Sequence, residues 1–189
     1  MKKVFFIWIL ISCFSCEKQQ EKGTLSIQYS NKNIGLKNGV LFYKGTPFSG
    51  ILTSFNEVNK TNDIVGYLNG RKEGEELKKY VNDIVAEQRF YKKGLKTGIH
   101  KAWWQDGSQK FLYHFNEKGE YNGNIKIWYK NGQLYKDFNY ENGKESGSQR
   151  MWEGDGKLRA NFVTKNGERF GLIGLKKCYS VNTTNEEYK

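Results

Sequence analysis

The stretch GLKTGIHKAWWQDG, residues 94–107, has two near-copies further along the chain: GEYNGNIKIWYKNG at 119–132 and GKESGSQRMWEGDG at 143–156. Each begins with G-x-x-x-G, continues through a short run ending in tryptophan or tyrosine, and closes on Asp-Gly or Asn-Gly. Aligning every such pair extends the series to Gly70/Gly74, Gly94/Gly98, Gly119/Gly123, Gly143/Gly147 and Gly167/Gly171, with a looser copy at Gly45–Gly50. The second glycines stand at 50, 74, 98, 123, 147 and 171, a spacing of 24 or 25 residues. A period of that size marks a repeat array.

Other positions keep step. Five residues after the second glycine stand Phe55, Trp103, Trp128 and Trp152, and six after it Tyr80, Trp104 and Tyr129. Nine after it come Asp83, Gly107, Gly132 and Gly156, and six past those turns Tyr113, Phe138 and Phe162. Asp-Gly and Asn-Gly between strand-like runs are the strongest short hairpin signal. One unit therefore reads as strand, tight turn, strand and a G-x-x-x-G connection, with glycine supplying positive φ at the corners. A lone hairpin is marginal in water, so neighbouring units must share faces. The expected fold is all-β: an elongated single-layer array of about six 24-residue β-hairpins with capping ends. Composition agrees, with 21 glycines, 1 proline and 15% aromatic residues. No run carries apolar residues at helical spacing without an interrupting glycine.

The pattern resembles the MORN repeat, and most closely the bacterial MORN-variant type found in antitoxin-like repeat proteins. The resemblance covers residues 34–175. It implies an elongated β array used for protein contacts or membrane association. The chain departs from the pattern at both ends, through the insertion in Gly45–Gly50 and through Lys176, where the last copy loses its aromatic. Those units are expected to be caps. Segment 17–33 is expected to be a polar tether followed by a capping strand in TLSIQYSNKN. Segment 176–189 is expected to be a frayed polar tail.

Residues 1–16, MKKVFFIWILISCFSC, have a basic start, a short apolar run and a small residue before cysteine, the parts of an export signal. A cysteine directly after such a run resembles a bacterial lipoprotein signal. Cys16 leaves the more usual signal length, and Cys13 fits the usual lipobox letters better. The run is too short to span a bilayer, whereas lipid on the cysteine would hold the protein on a membrane face. Glu17 rather than aspartate follows Cys16, which points to the outer membrane. With Cys16 as the anchor, only Cys178 remains, so no disulfide framework is expected within one chain.

Chemistry is sparse. His100 and His114 lie on expected strands, with no neighbouring ligand at metal-site spacing. Asp106 and Asp155 sit in turns, where aspartate serves the turn, and the alternating acids of a calcium loop are missing. No phosphate loop or nucleophile elbow is present. No catalytic residue, metal or cofactor is therefore expected. A glycan-cleaving enzyme would need a defined carboxylate pair, which the sequence does not offer.

The net charge is +11, with lysines dispersed among aromatics, as on solvated strand faces. The ladder Phe55, Trp103, Trp128 and Trp152 reads either as the core seam or as an exposed binding stripe. A face with Trp104, Tyr129, Lys101, Lys126 and Arg150 nearby suits an acidic protein surface or anionic headgroups. The export signal disfavours nucleic acid. The expected function is a membrane-anchored protein-binding or scaffold module. An immunity or antitoxin-like role is the alternative that the family implies, and envelope glycan or lipid binding is a more remote one.

Overall fold

The computed structural model describes residues 24–174; the expected signal, Cys13, Cys16 and the C-terminal tail lie outside them. The described chain is all-β, with strands β1 (Ser26–Gln28), β2 (Ile34–Lys37), β3 (Val40–Tyr43), β4 (Thr46–Pro47), β5 (Gly50–Asn56), β6 (Thr61–Leu68), β7 (Arg71–Tyr80), β8 (Val85–Lys92), β9 (Leu95–Lys96), β10 (Gly98–Trp103), β11 (Gln109–Phe115), β12 (Gly123–Trp128), β13 (Leu134–Glu141), β14 (Lys144–Trp152), β15 (Leu158–Lys165) and β16 (Glu168–Leu172). Thirteen of them form one sheet in the order β1-β5-β6-β7-β8-β10-β11-β12-β13-β14-β15-β16, with β9 beside β8. Every pairing is antiparallel except β1 with β5. Strands β2, β3 and β4 form a separate small sheet.

Two kinds of turn alternate along this meander, and the residues explain both. Asn69-Gly70, Lys93-Gly94, Asn142-Gly143 and Asn166-Gly167 have positive φ at both residues. That is the type I′ geometry whose twist matches two-residue hairpins. The Asp-Gly and Asn-Gly turns differ, because only the glycine (Gly107, Gly132, Gly156) has positive φ. There the glycine amide bonds back to Trp104, Tyr129 or Glu153, and those residues' own amides donate to Ser108, Gln133 and Lys157. This is a type I turn followed by a bulge. It shifts register at Ala102/Trp103, Ile127/Trp128 and Met151/Trp152.

All ten glycines of the strict G-x-x-x-G pairs have positive φ: Gly70, Gly74, Gly94, Gly98, Gly119, Gly123, Gly143, Gly147, Gly167 and Gly171. The first of each pair belongs to the turn. At Gly74 and Gly147 the second sits in a bulge, whereas Gly171 pairs regularly with Phe162. Val65 pairs with Glu76 and Tyr67 with Lys72, so Glu73, Gly74 and Glu75 oppose Gly66 alone. Likewise Phe138 pairs with Gln149 and Tyr140 with Glu145, leaving Ser146, Gly147 and Ser148 opposite Asn139. In those units the G-x-x-x-G spacing encodes a turn and, four residues on, a bulge that re-aims the strand.

At the N-terminal end the small sheet docks on the β6–β7 turn. The Leu41 amide donates to the Gly70 carbonyl, and the Gly70 amide donates to the Phe48 carbonyl. Ile27, Leu41, Phe48 and Leu52 form a buried cluster there. A second cluster, Phe138, Ala160 and Phe162, lies near the other end.

Candidate functional site

Strand alternation divides the sheet into two faces. One carries the buried seam. Two residues after the first five second glycines stand Leu52, Glu76, His100, Ile125 and Gln149, all buried, whereas Ile173, two after Gly171, is exposed. Fifteen after those first five stand Val65, Arg89, Tyr113, Phe138 and Phe162, of which Val65, Phe138 and Phe162 are buried. Phe138 and Phe162 of successive units meet edge to face at 5.9 Å. The tryptophans do not form this seam. Trp103, Trp128 and Trp152 are half-buried and Phe55 is exposed. Among the described residues no ring pair joins them to one another.

Polar residues in the seam have a specific task. Opposite each bulge one residue's backbone loses its ladder partner. At Asn139 the deficit is met by Gln149, 0% exposed: its Oε1 accepts from the Asn139 amide at 3.1 Å, and its Nε2 donates to the Asn139 carbonyl at 2.8 Å. His100, 1% exposed, holds the equivalent place beside Phe90, with Nε2 at 3.1 Å from the Phe90 amide. The Phe90 carbonyl already accepts from the Thr97 amide. The same Nε2 lies 2.9 Å from the Phe90 carbonyl, so the ring stands within bonding reach of both Phe90 backbone groups, and the tautomer decides which of them it bonds. Burial lowers its pKa, with Arg89 and Lys96 acting the same way against the opposing Phe90 bond. Beside Ile125 the Asn122 amide donates to the His114 carbonyl, as the Thr97 amide does to that of Phe90. The His114 ring bonds the Asn124 carbonyl.

The second unit places charge in the same seam. Lys78 Nζ lies 3.3 Å from Glu87, 3.8 Å from Glu76 and 3.9 Å from Asp63. Lys72 bonds Glu76 at 2.7 Å, Arg89 bonds Glu87, and the Thr61 hydroxyl donates to Asp63 at 2.7 Å. Burial alone would raise the Glu76 pKa, but the hydrogen bond and charge of Lys72, helped by Lys78, carry it below the ordinary value. Tyr91 is pushed up to about 12 by burial and by the Glu76 carboxylate. Three carboxylates and three cations balance, so the cluster is a closed, mutually satisfied network. Sequence reading missed it. The available signal was phase, since Glu76, Lys78, Glu87 and Arg89 occupy the positions that the next unit fills with His100, Ala102, Phe111 and Tyr113.

Tyr129 belongs to an inter-unit clasp, and Trp104 stands at the equivalent step, so neither is part of the tryptophan row. The Tyr80 hydroxyl donates to the Trp103 carbonyl at 3.0 Å, and Tyr129 donates to that of Trp152 at 3.1 Å. Trp104 occupies the same step, and its buried Nε1 has no partner among the described residues. Lys110 stacks over its ring at 4.6 Å.

The face opposite the seam carries the remaining candidates. Direct cross-strand pairs run Lys101–Leu112, Leu112–Lys126, Lys126–Asp137 and Asp137–Arg150. These residues form one row across five strands. Neighbouring strands are about 4.8 Å apart, so successive cations stand about 10 Å apart. Two residues along each strand, Trp103, Trp128 and Trp152 form a parallel row. Among the described residues no ion pair within 4.0 Å includes Lys101, Lys126 or Arg150. Asp137 instead accepts from Asn124 at 2.6 Å.

No group of three histidine, cysteine or acidic side chains placed to hold a metal ion is found among the described residues. No helix among them is long and apolar enough to cross a membrane. No protein-family model matches the chain, and no curated protein matches it.

Proposed function

We propose that the protein is a non-enzymatic binding module: a lipoprotein held on the outer membrane through Cys16, whose repeat array presents one face to an acidic protein partner. The array is taken as an elongated single layer of about six hairpin units of the MORN-variant type. The 24-residue recurrence of turn, bulge and seam supports that reading.

The observation that carries the binding function is the row Lys101, Lys126 and Arg150, without an ion-pair partner among the described residues, beside Trp103, Trp128 and Trp152. Such cations raise the local positive potential and steer an acidic surface toward it. Half-buried tryptophans next to them supply contact area of the kind that anchors protein interfaces. Asp137, standing within the row, favours a partner with discrete charges over the continuous negative plane of a lipid surface.

The test compares the full chain, solubilised in mild detergent, with a Lys101→Glu/Lys126→Glu/Arg150→Glu variant in affinity capture from envelope extract. The side chains changed are on the open face, and circular dichroism checks that the variant folds. One dominant acidic protein should be retained by the wild type, released by added salt and absent from the variant. No enrichment by the wild type, or equal capture by the variant, refutes the proposal.

A further inference from the structure

A second candidate surface is the N-terminal corner, where β1 meets the β5–β6 hairpin. A cleft of about 580 Å³ opens there, lined by Tyr29, Phe55, Ile64, Gln28, Ser30 and Asn62 among others. Its volume falls in the range of small-ligand sites, about 300–1,000 Å³. Two rings are unusually open for a chain that buries aromatics along its seam: Tyr29 is 62% exposed and Phe55 45%. They are not at a loose end. The Tyr29 amide donates to the Thr53 carbonyl at 2.8 Å, and Phe55 pairs across to Asn62. The rings are exposed on a hydrogen-bonded sheet.

Apart from Asp63, the polar lining is neutral. Gln28 and Asn62 offer carboxamides and Ser30 a hydroxyl, and none makes a side-chain hydrogen bond within the described residues. A carboxamide both donates and accepts, so such groups match ligands that are rich in hydroxyls. Charge is spent elsewhere: Asp63 accepts from Thr61, and Lys60, which lies over the Phe55 ring at 6.0 Å, is paired with Glu57 at 2.8 Å. A nucleic acid would need free cations for its phosphates, and a lipid tail would leave the carboxamides unpaired. A sugar ring meets both demands. Its C–H face lies against the negative face of an aromatic ring, while its hydroxyls exchange hydrogen bonds with amides. We infer that this cleft binds a neutral saccharide, stacked on Tyr29 or Phe55 and held by Gln28, Ser30 and Asn62. The inference is independent of the cation row on strands β10–β14.

The full chain would be applied in detergent to an array of neutral and acidic oligosaccharides, and the best neutral compound titrated by calorimetry. Neutral saccharides should be retained, with little response to added salt. At least one of Tyr29→Ala and Phe55→Ala should weaken binding tenfold or more, with the circular dichroism spectrum unchanged. The Lys101→Glu/Lys126→Glu/Arg150→Glu variant should bind as the wild type does, which separates this site from the protein-binding face. Retention of acidic glycans only, no retention at all, or undiminished binding by the two alanine variants would overturn the assignment.

Discussion

Replacing Gln149 by leucine removes the side chain that completes the Asn139 backbone while keeping an apolar group of similar size in the seam. Both Asn139 bonds are lost, one donated to Oε1 at 3.1 Å and one accepted from Nε2 at 2.8 Å. Water cannot replace them readily, since the Gln149 side chain is fully enclosed. Each backbone group left unsatisfied costs about 1–3 kcal/mol. The buried leucine offsets about 1.5–3 kcal/mol through its apolar surface. The net expectation is a loss of about 1–3 kcal/mol, read from urea unfolding followed by tryptophan fluorescence. His100→Gln is the matched control, because a carboxamide at that place can repeat beside Phe90 what Gln149 does beside Asn139. It should leave stability within about 1 kcal/mol of wild type at neutral pH. It should also remove a pH dependence. The folded His100 pKa lies below 6.5, so its contribution is complete above pH 6.5 and is lost as pH falls toward the depressed value. Wild-type stability minus variant stability should therefore shrink on acidification. A Gln149→Leu protein as stable as wild type, or a His100→Gln protein with an unchanged acid slope, would refute the role assigned to the polar seam.

Three further outcomes follow from particular contacts. Gly70→Ala should cost about 2–4 kcal/mol in chemical denaturation, because an added Cβ meets Val40 Cγ1 at 2.4 Å and the Leu41 carbonyl at 2.7 Å. Gly74→Ala, at the same φ of 75° but with nothing within 4 Å, should cost only the backbone strain of about 1–2 kcal/mol. Equal losses would remove the docking account of the N-terminal sheet. Tyr91 should ionise near pH 12 in an ultraviolet tyrosinate titration. Its contribution to stability should be present below pH 10 and fall as pH rises through that of the folded phenol, a slope that Tyr91→Phe should lack. Trp104→Tyr should place a hydroxyl where Tyr80 and Tyr129 reach the carbonyl of the next unit. It removes a buried donor whose missing bond costs about 1–3 kcal/mol, so a fall in thermal stability would contradict the clasp.

The period and the turns were legible in the sequence because glycine is a conformational signal. Positive φ at Gly74 or Gly147 is written in the residue itself. The seam was harder to read. Large aromatics draw attention, and Trp103, Trp128 and Trp152 recur at a fixed offset, yet the bulge opposite each turn leaves them half-buried. The residues that are enclosed, Glu76, His100 and Gln149, are types that hydropathy places outside. Their burial depends on a backbone deficit created by the bulge, which appears only once the strands are in register. The corner cleft was illegible for a similar reason. Tyr29 and Phe55 come from segments far apart in sequence, joined by the one parallel pairing in the sheet.

The seam also explains how a repeat can vary without losing its fold. Turn and bulge are specified by glycines outside the seam, so the residue two positions on faces a local requirement: complete the backbone opposite, or leave that task to a main-chain amide. Gln149 and His100 bond the backbone opposite directly, while beside Ile125 the Asn122 amide serves the His114 carbonyl. Glu76 makes no bond to the backbone opposite among the described residues. It turns instead to Lys72 and Lys78, and this draws Asp63, Glu87 and Arg89 into the network. One acidic residue in the seam thus commits five neighbours on three strands. Removing Lys78 alone should therefore be far more damaging than removing Lys101, which no acidic side chain approaches within 4.0 Å among the described residues. Truncating a partner inside an enclosed network strands opposite charges, whereas a lone surface cation contributes little to stability. Lys78→Met and Lys101→Met, compared by urea unfolding, should separate by more than about 2 kcal/mol, and equal stabilities would show that the network does not hold the second unit.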